Sequence, residues 1–70
     1  MLVKLAPMGE ETREFSLGEG ASVSNLLEAA GVEADGRSIR INSEEATMSD
    51  ALKNGDVVSL ISKVEGGVSL

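Results

Sequence analysis

One stretch of this 70-residue chain carries apolar side chains on both faces of an extended backbone: Val57-Val58-Ser59-Leu60-Ile61. Val57 and Ile61 fall on one side and Val58 and Leu60 on the other, so neither side is written for water. That is the pattern of a central strand, not an edge. Whatever precedes it must therefore supply a neighbour on each of its flanks. The turn Asn54-Gly55 followed by Asp56 leads the chain into this strand. Beyond it stand Lys63-Val64-Glu65, a glycine pair, Gly66-Gly67, and then Val68-Ser69-Leu70. Glycine loses more backbone freedom on ordering than any other residue and brings nothing to pack, so a core has no use for the pair. Near a chain end the same two residues make a thin segment able to thread a narrow cleft.

The preceding elements alternate or repeat in ways that place them around the last strand. Leu2 to Ala6 has Val3 and Leu5 on one face, with Lys4 between them. Pro7-Met8-Gly9-Glu10 is a turn, and Thr12 to Leu17 puts Phe15 and Leu17 together. The two runs predict a hairpin. Val23, Leu26, Leu27 and Ala30 follow at i, i+3, i+4 and i+7, one stripe of a helix of about two turns. Ser22 is its expected cap, with Ser24 a rival, and Gly31 its expected C-terminal stop. So short a helix does not persist in water and must lie on a sheet.

An Asp35-Gly36 turn is expected ahead of a third strand, Ser38 to Asn42. Ser43-Glu44-Glu45 is expected to turn the chain, Ala46-Thr47-Met48 to form a brief extended piece, and Ser49 to Leu52 a capped single turn. A hairpin, a helix across one face and a final central strand make a β-grasp. A right-handed crossover sets the last strand parallel to the first, between the first and third. The expected fold is thus α+β, a ubiquitin-like β-grasp with a mixed sheet of about four strands and one helix. Residues 1–65 form the domain and residues 66–70 the tail.

Composition narrows the chemistry. A chain this short buries about 60% of the surface its unfolded form exposes. The net charge is −6, Phe15 is the sole aromatic residue, and there is neither cysteine nor histidine. Phosphate contacts need a basic surface and base stacking needs aromatic rings, so no nucleic-acid partner is expected. An acidic surface suits docking to a basic protein. Without thiolates or imidazoles there are no disulfides, no zinc site and no activated serine, so no cofactor and no enzymatic role are expected. Glu10, Glu11, Glu14, Glu44, Glu45 and Asp50 are expected to be solvated surface. No apolar run is long enough to span a membrane, and a cytoplasmic location is expected.

The closing residues Leu52-Lys53-Asn54-Gly55-Asp56-Val57-Val58, then Ile61, Val64 and Gly66-Gly67, resemble the end of the ubiquitin-like sulfur carriers of thiamine and molybdopterin synthesis, the ThiS/MoaD family. Gly31 and Ile39-Arg40-Ile41-Asn42 also sit where that family has comparable residues. The resemblance implies a carrier whose terminal glycine is adenylated with ATP by a ubiquitin-activating-type enzyme and converted to a thiocarboxylate. A downstream biosynthetic enzyme then accepts the sulfur. Gly67 would be the reactive residue and Gly66 its thin neighbour, after removal of Val68-Ser69-Leu70.

Two other readings use the same fold: a ubiquitin-like protein modifier, and a non-catalytic binding module that never uses the glycines. The sheet face away from the helix would be a partner surface, carrying either Val58 with Leu60 or Val57 with Ile61. Val58, Leu60, Lys63 and Val64 are the expected docking residues.

Overall fold

The computed structural model describes residues 1–62, and its sheet is built around the pairing of the first strand with the last. β1 (Leu2–Pro7) and β5 (Val57–Ser62) run parallel, with Leu5 beside Val58 and Pro7 beside Leu60. β2 (Arg13–Ser16) returns along the outer side of β1, antiparallel, with Val3 opposite Phe15. β3 (Arg37–Ile41) lies antiparallel on the other flank of β5, and β4 (Glu44–Ala46) pairs antiparallel with β3. The order across the sheet is β2-β1-β5-β3-β4. The strand with two apolar faces is in the middle, as its sequence requires, and the architecture is the expected β-grasp.

α1 (Val23–Ala30) packs Val23, Leu26 and Leu27 into the core against Val3 and Leu5 of β1, Ile39 of β3, and Val58 and Leu60 of β5. Its start answers every orphan donor of the first turn. Ser22 and Asn25 form a capping box, with the Asn25 N–H donating to Ser22 Oγ and the Ser22 N–H to Asn25 Oδ1. The Val23 and Ser24 N–H groups donate to the carbonyls of Asp50 and Met48, both at 3.0 Å. At the other end Gly31 adopts φ +71°, and the N–H groups of Gly31 and Val32 return to the Glu28 and Leu27 carbonyls. That is a Schellman closure, which a side chain at Gly31 would strain.

Two expectations for residues 42–52 are corrected. The chain turns at Asn42-Ser43, with φ +51° and +74°, one step earlier than expected, so that Glu44-Glu45-Ala46 becomes a strand. No apolar alternation marks this strand. It forms because Ile41 and Ile39, opposite Glu44 and Ala46, hold the other side of a two-residue hairpin. Ser49 to Leu52 does not hold the expected capped single turn, which lies two residues earlier at Thr47 to Asp50. There the Asp50 N–H donates to the Thr47 carbonyl at 3.2 Å and the Thr47 N–H to Asp50 Oδ2 at 2.9 Å. The segment runs on past the start of α1, where Ala51 bridges to Ser22 and the Leu52 N–H donates to the Ala21 carbonyl at 2.8 Å. The donors at the start of α1 take its carbonyls, and Leu52 enters the core.

Candidate functional site

The feature to be positioned is the end of β5, because it delivers the chain to residues 63–70. Its beginning is fixed by the turn that precedes it. Gly55, at φ +92°, directs its N–H to the Leu2 carbonyl at 2.7 Å, while Asn54 Oδ1 accepts from the Leu2 N–H at 2.7 Å. The turn thereby ties the last strand to the first residue of β1. Asp56, only 9% exposed, accepts from the Lys53 N–H at 2.8 Å and from Asn42 Nδ2 at 3.0 Å. Asn42 also exchanges two bonds with Val57, its N–H to the Val57 carbonyl and its Oδ1 from the Val57 N–H. A side chain from the β3–β4 turn thus adds a rung where the ladder would otherwise stop. The Asn54-Gly55-Asp56 turn was legible in the sequence. The part played by Asn42 was not, since that residue reads as the end of a strand.

The far end of β5 is held on both flanks until the described residues stop. On one side Pro7 pairs with Leu60, and the Met8 N–H donates to the Leu60 carbonyl at 2.8 Å. On the other, Arg37, the first residue of β3, stands opposite Ser62. Lys63, Val64, Gly66 and Gly67, expected as docking and reactive residues, lie outside the described residues, as does the boundary expected between residues 65 and 66.

Val58 and Leu60 are not docking residues. Both are fully buried against α1 and belong to the core. The alternation of β5 turns Val57, Ser59 and Ile61 to the opposite, helix-free face instead, where all three are half-buried. The sequence could not separate the two rows, because each is apolar and only the position of α1 decides between them. On the helix-free face β5 is flanked by Lys4 and Ala6 of β1 and by Ser38 and Arg40 of β3. Two basic residues of an acidic chain therefore border its apolar centre. Glu14 and Glu45 stand opposite Lys4 and Arg40 on the outer strands.

The acidic residues do not converge. Among the described residues no group of three Asp or Glu could hold a metal ion. A shallow depression of about 390 Å³ beside the β3–β4 turn is lined by Glu44, Glu45, Asp50 and Asp56, with Lys53 among them. Among the described residues no helix is long and apolar enough to cross a membrane.

The model of the ThiS family matches residues 4–67, almost the whole chain, and its match ends on the second glycine of the pair. The chain belongs to the ThiS family. Three solved structures show how this ThiS-family chain compares. It is 25% identical to a molybdopterin-converting factor subunit 1, described as putative, from Pyrococcus furiosus, with a TM-score of 0.74 over 90% of this chain and 98% of that one. It is 25% identical to a chain in the complex of subunits 1 and 2 of the molybdopterin-converting factor from Helicobacter pylori, with a TM-score of 0.72 over 96% of this chain and 100% of that one. The third, small archaeal modifier protein 1 from Haloferax volcanii, shares the fold at 20% identity, with a TM-score of 0.78 over 96% and 100% of the two chains. No curated protein matches this one in sequence. The family and the ubiquitin-like fold agree with the resemblance carried by the closing motif.

Proposed function

We propose that this chain is a sulfur carrier whose reactive group is the carboxylate of Gly67. The observation that carries the reading is the family match running through the whole domain and ending at that glycine. Three residues follow it in this sequence, Val68-Ser69-Leu70. While they are attached Gly67 bears an amide, which cannot attack ATP, so a proteolytic step after Gly67 comes first. The carboxylate oxygen then attacks the α-phosphorus of ATP on a ubiquitin-activating-type enzyme, and pyrophosphate leaves. A sulfide-level sulfur nucleophile attacks the acyl carbon of the adenylate, and AMP departs with the electron pair of the broken C–O bond. The product is a thiocarboxylate, which a downstream biosynthetic enzyme consumes. Thiamine and molybdopterin synthesis are the pathways suggested by the family and by the relatives that the chain resembles. The domain takes no catalytic part. It presents a terminus without side chains, which a narrow active-site channel can admit.

The experiment is ATP–pyrophosphate exchange with the host's activating enzymes, run on the full chain and on a chain ending at Gly67. The shortened chain is expected to support exchange and the full chain to be inert. Equal inactivity of both would sink the carrier reading. Intact mass spectrometry of the protein from cells separates the other readings. Loss of the last three residues with a sulfur-for-oxygen shift marks the carrier, and isopeptide linkage of Gly67 to target lysines marks a modifier. A binding module would keep residues 68–70 and tolerate Gly67→Ala without loss of partner binding.

A further inference from the structure

The charges at the end of α1 run against the helix. Its last turn carries no basic residue, and Glu28 stands in that turn, where the carbonyl end of the helix dipole favours a cation. Glu33 and Asp35 follow in the loop that leads to β3, and all three side chains are exposed. Asp50 and Asp56, by contrast, accept main-chain N–H groups and so serve the fold. A local rule broken without a structural return is where a functional surface is to be sought.

The three carboxylates border a groove of about 340 Å³. Leu27, Val32 and Ala34, buried or half-buried, form its floor. Its rim is Glu28, Glu33 and Asp35 together with Met48, which is 40% exposed. Among the described residues no lysine or arginine lines it, whereas the depression beside the β3–β4 turn has Lys53 among its acids. The volume is at the low end of the roughly 300–1,000 Å³ of small-molecule sites. With its rim in water, the groove suits a side chain presented by another surface better than an enclosed molecule. The unbranched thioether of Met48 can adjust to such a side chain.

We infer that this groove seats a basic segment of another protein. One apolar side chain of that segment enters beside Met48, and lysines or arginines on either side of it meet Glu28, Glu33 and Asp35. Charge decides the occupant. Anionic lipid and nucleic acid are repelled by such a rim, and a second copy of a chain with net charge −6 brings like charge to it. The groove lies on the α1 side of the sheet, so a segment seated there leaves Val57, Ser59 and Ile61 on the helix-free face uncovered. The inference stands whether or not Gly67 is activated.

The test is a titration of the full chain with a short synthetic peptide that holds one leucine between two arginine pairs, followed by ¹⁵N–¹H correlation spectra. Saturable shifts are expected at Leu27, Glu28, residues 32–35 and Met48, with Val57 to Ile61 unmoved. Replacing the peptide's leucine by alanine is expected to weaken binding about five-fold, and replacing its arginines by glutamates to abolish it. In the protein, Glu28→Gln, Glu33→Gln and Asp35→Asn together should weaken binding about ten-fold at low salt. The same charge change at Glu10, Glu11 and Glu14, on the hairpin at the other edge of the sheet, should weaken it less than about two-fold. Met48→Ser should weaken the leucine peptide and leave the alanine peptide unchanged.

Shifts scattered over the acidic surface, or reproduced by spermidine, would overturn the inference. So would equal losses in the two triple variants, or a leucine peptide that binds no better than the alanine one. A dimer seen in sedimentation equilibrium and abolished by the groove variant would assign the groove to a second copy and overturn it as well. Glu28→Gln alone is expected to leave the thermal midpoint level or raise it, since it removes a charge that the helix end disfavours. A fall in the midpoint would show that carboxylate serving the fold, against the inference.

Discussion

Asp56 holds a carboxylate nearly out of water and gives it two donors, the Lys53 N–H and Asn42 Nδ2. Removing the carboxylate leaves both without an acceptor, a loss of about 1–3 kcal/mol. A domain of this size has roughly 3–5 kcal/mol in all. Asp56→Ala is therefore expected to remove about half of the stability, read as a lower urea midpoint at unchanged slope. Asp56→Asn should behave more like the alanine variant than like the parent. Its single amide oxygen can serve one donor, and its NH2 then confronts the other. Turning the Asn42 amide to accommodate it would take Oδ1 from the Val57 N–H. The sequence marks the turn at Asn54-Gly55 but not this network, because the essential partner lies 14 residues away and no local pattern joins the two.

The elements that were legible are those in which a period and a stop signal coincide. The Val23-Leu26-Leu27 stripe between Ser22 and Gly31 could be nothing but a short helix lying on a sheet, and the alternation of β1 and β3 required strands. β4 carried no such signal. Glu44-Glu45-Ala46 is a strand only because the turn at Asn42-Ser43 presents it to β3. The same blindness placed Val58 and Leu60, the row of β5 that α1 covers, among the expected docking residues, since periodicity finds two faces without saying which of them α1 covers. The turn itself yields a prediction. Ser43 holds φ +74°, a conformation that costs a residue with a side chain about 1–2 kcal/mol. Glycine avoids that cost but loses about 0.4–1 kcal/mol more on leaving the unfolded state. Ser43→Gly is thus expected to stabilise the hairpin by about 0.5 kcal/mol, seen as a higher thermal midpoint. Asn42 must be kept, because its side chain closes the β3–β5 ladder.

Taken whole, the molecule carries 12 acidic residues against 6 basic ones. A net charge far from zero repels itself more when the chain is compact than when it is extended. Added salt screens that repulsion, with a Debye length of about 10 Å at 0.1 M and 3 Å at 1 M. The thermal midpoint is accordingly expected to rise between low salt and 1 M sodium chloride, and about 1 kcal/mol of relief would read as roughly 4–8 °C in a domain this small. A midpoint that falls with salt would mean that pairs such as Lys4 with Glu14 and Arg40 with Glu45 outweigh the net repulsion. The central place of β5 also has a consequence in time. Until residues 57–62 have been synthesised and released, β1–β2 and β3–β4 are two hairpins with no strand in common. The sheet cannot close during translation from the amino end, and its joining waits on contacts more than 50 residues apart, the kind that slow folding. On the proposed carrier reading, an enzyme that recognised the closed sheet would meet only chains already made at least as far as the end of β5.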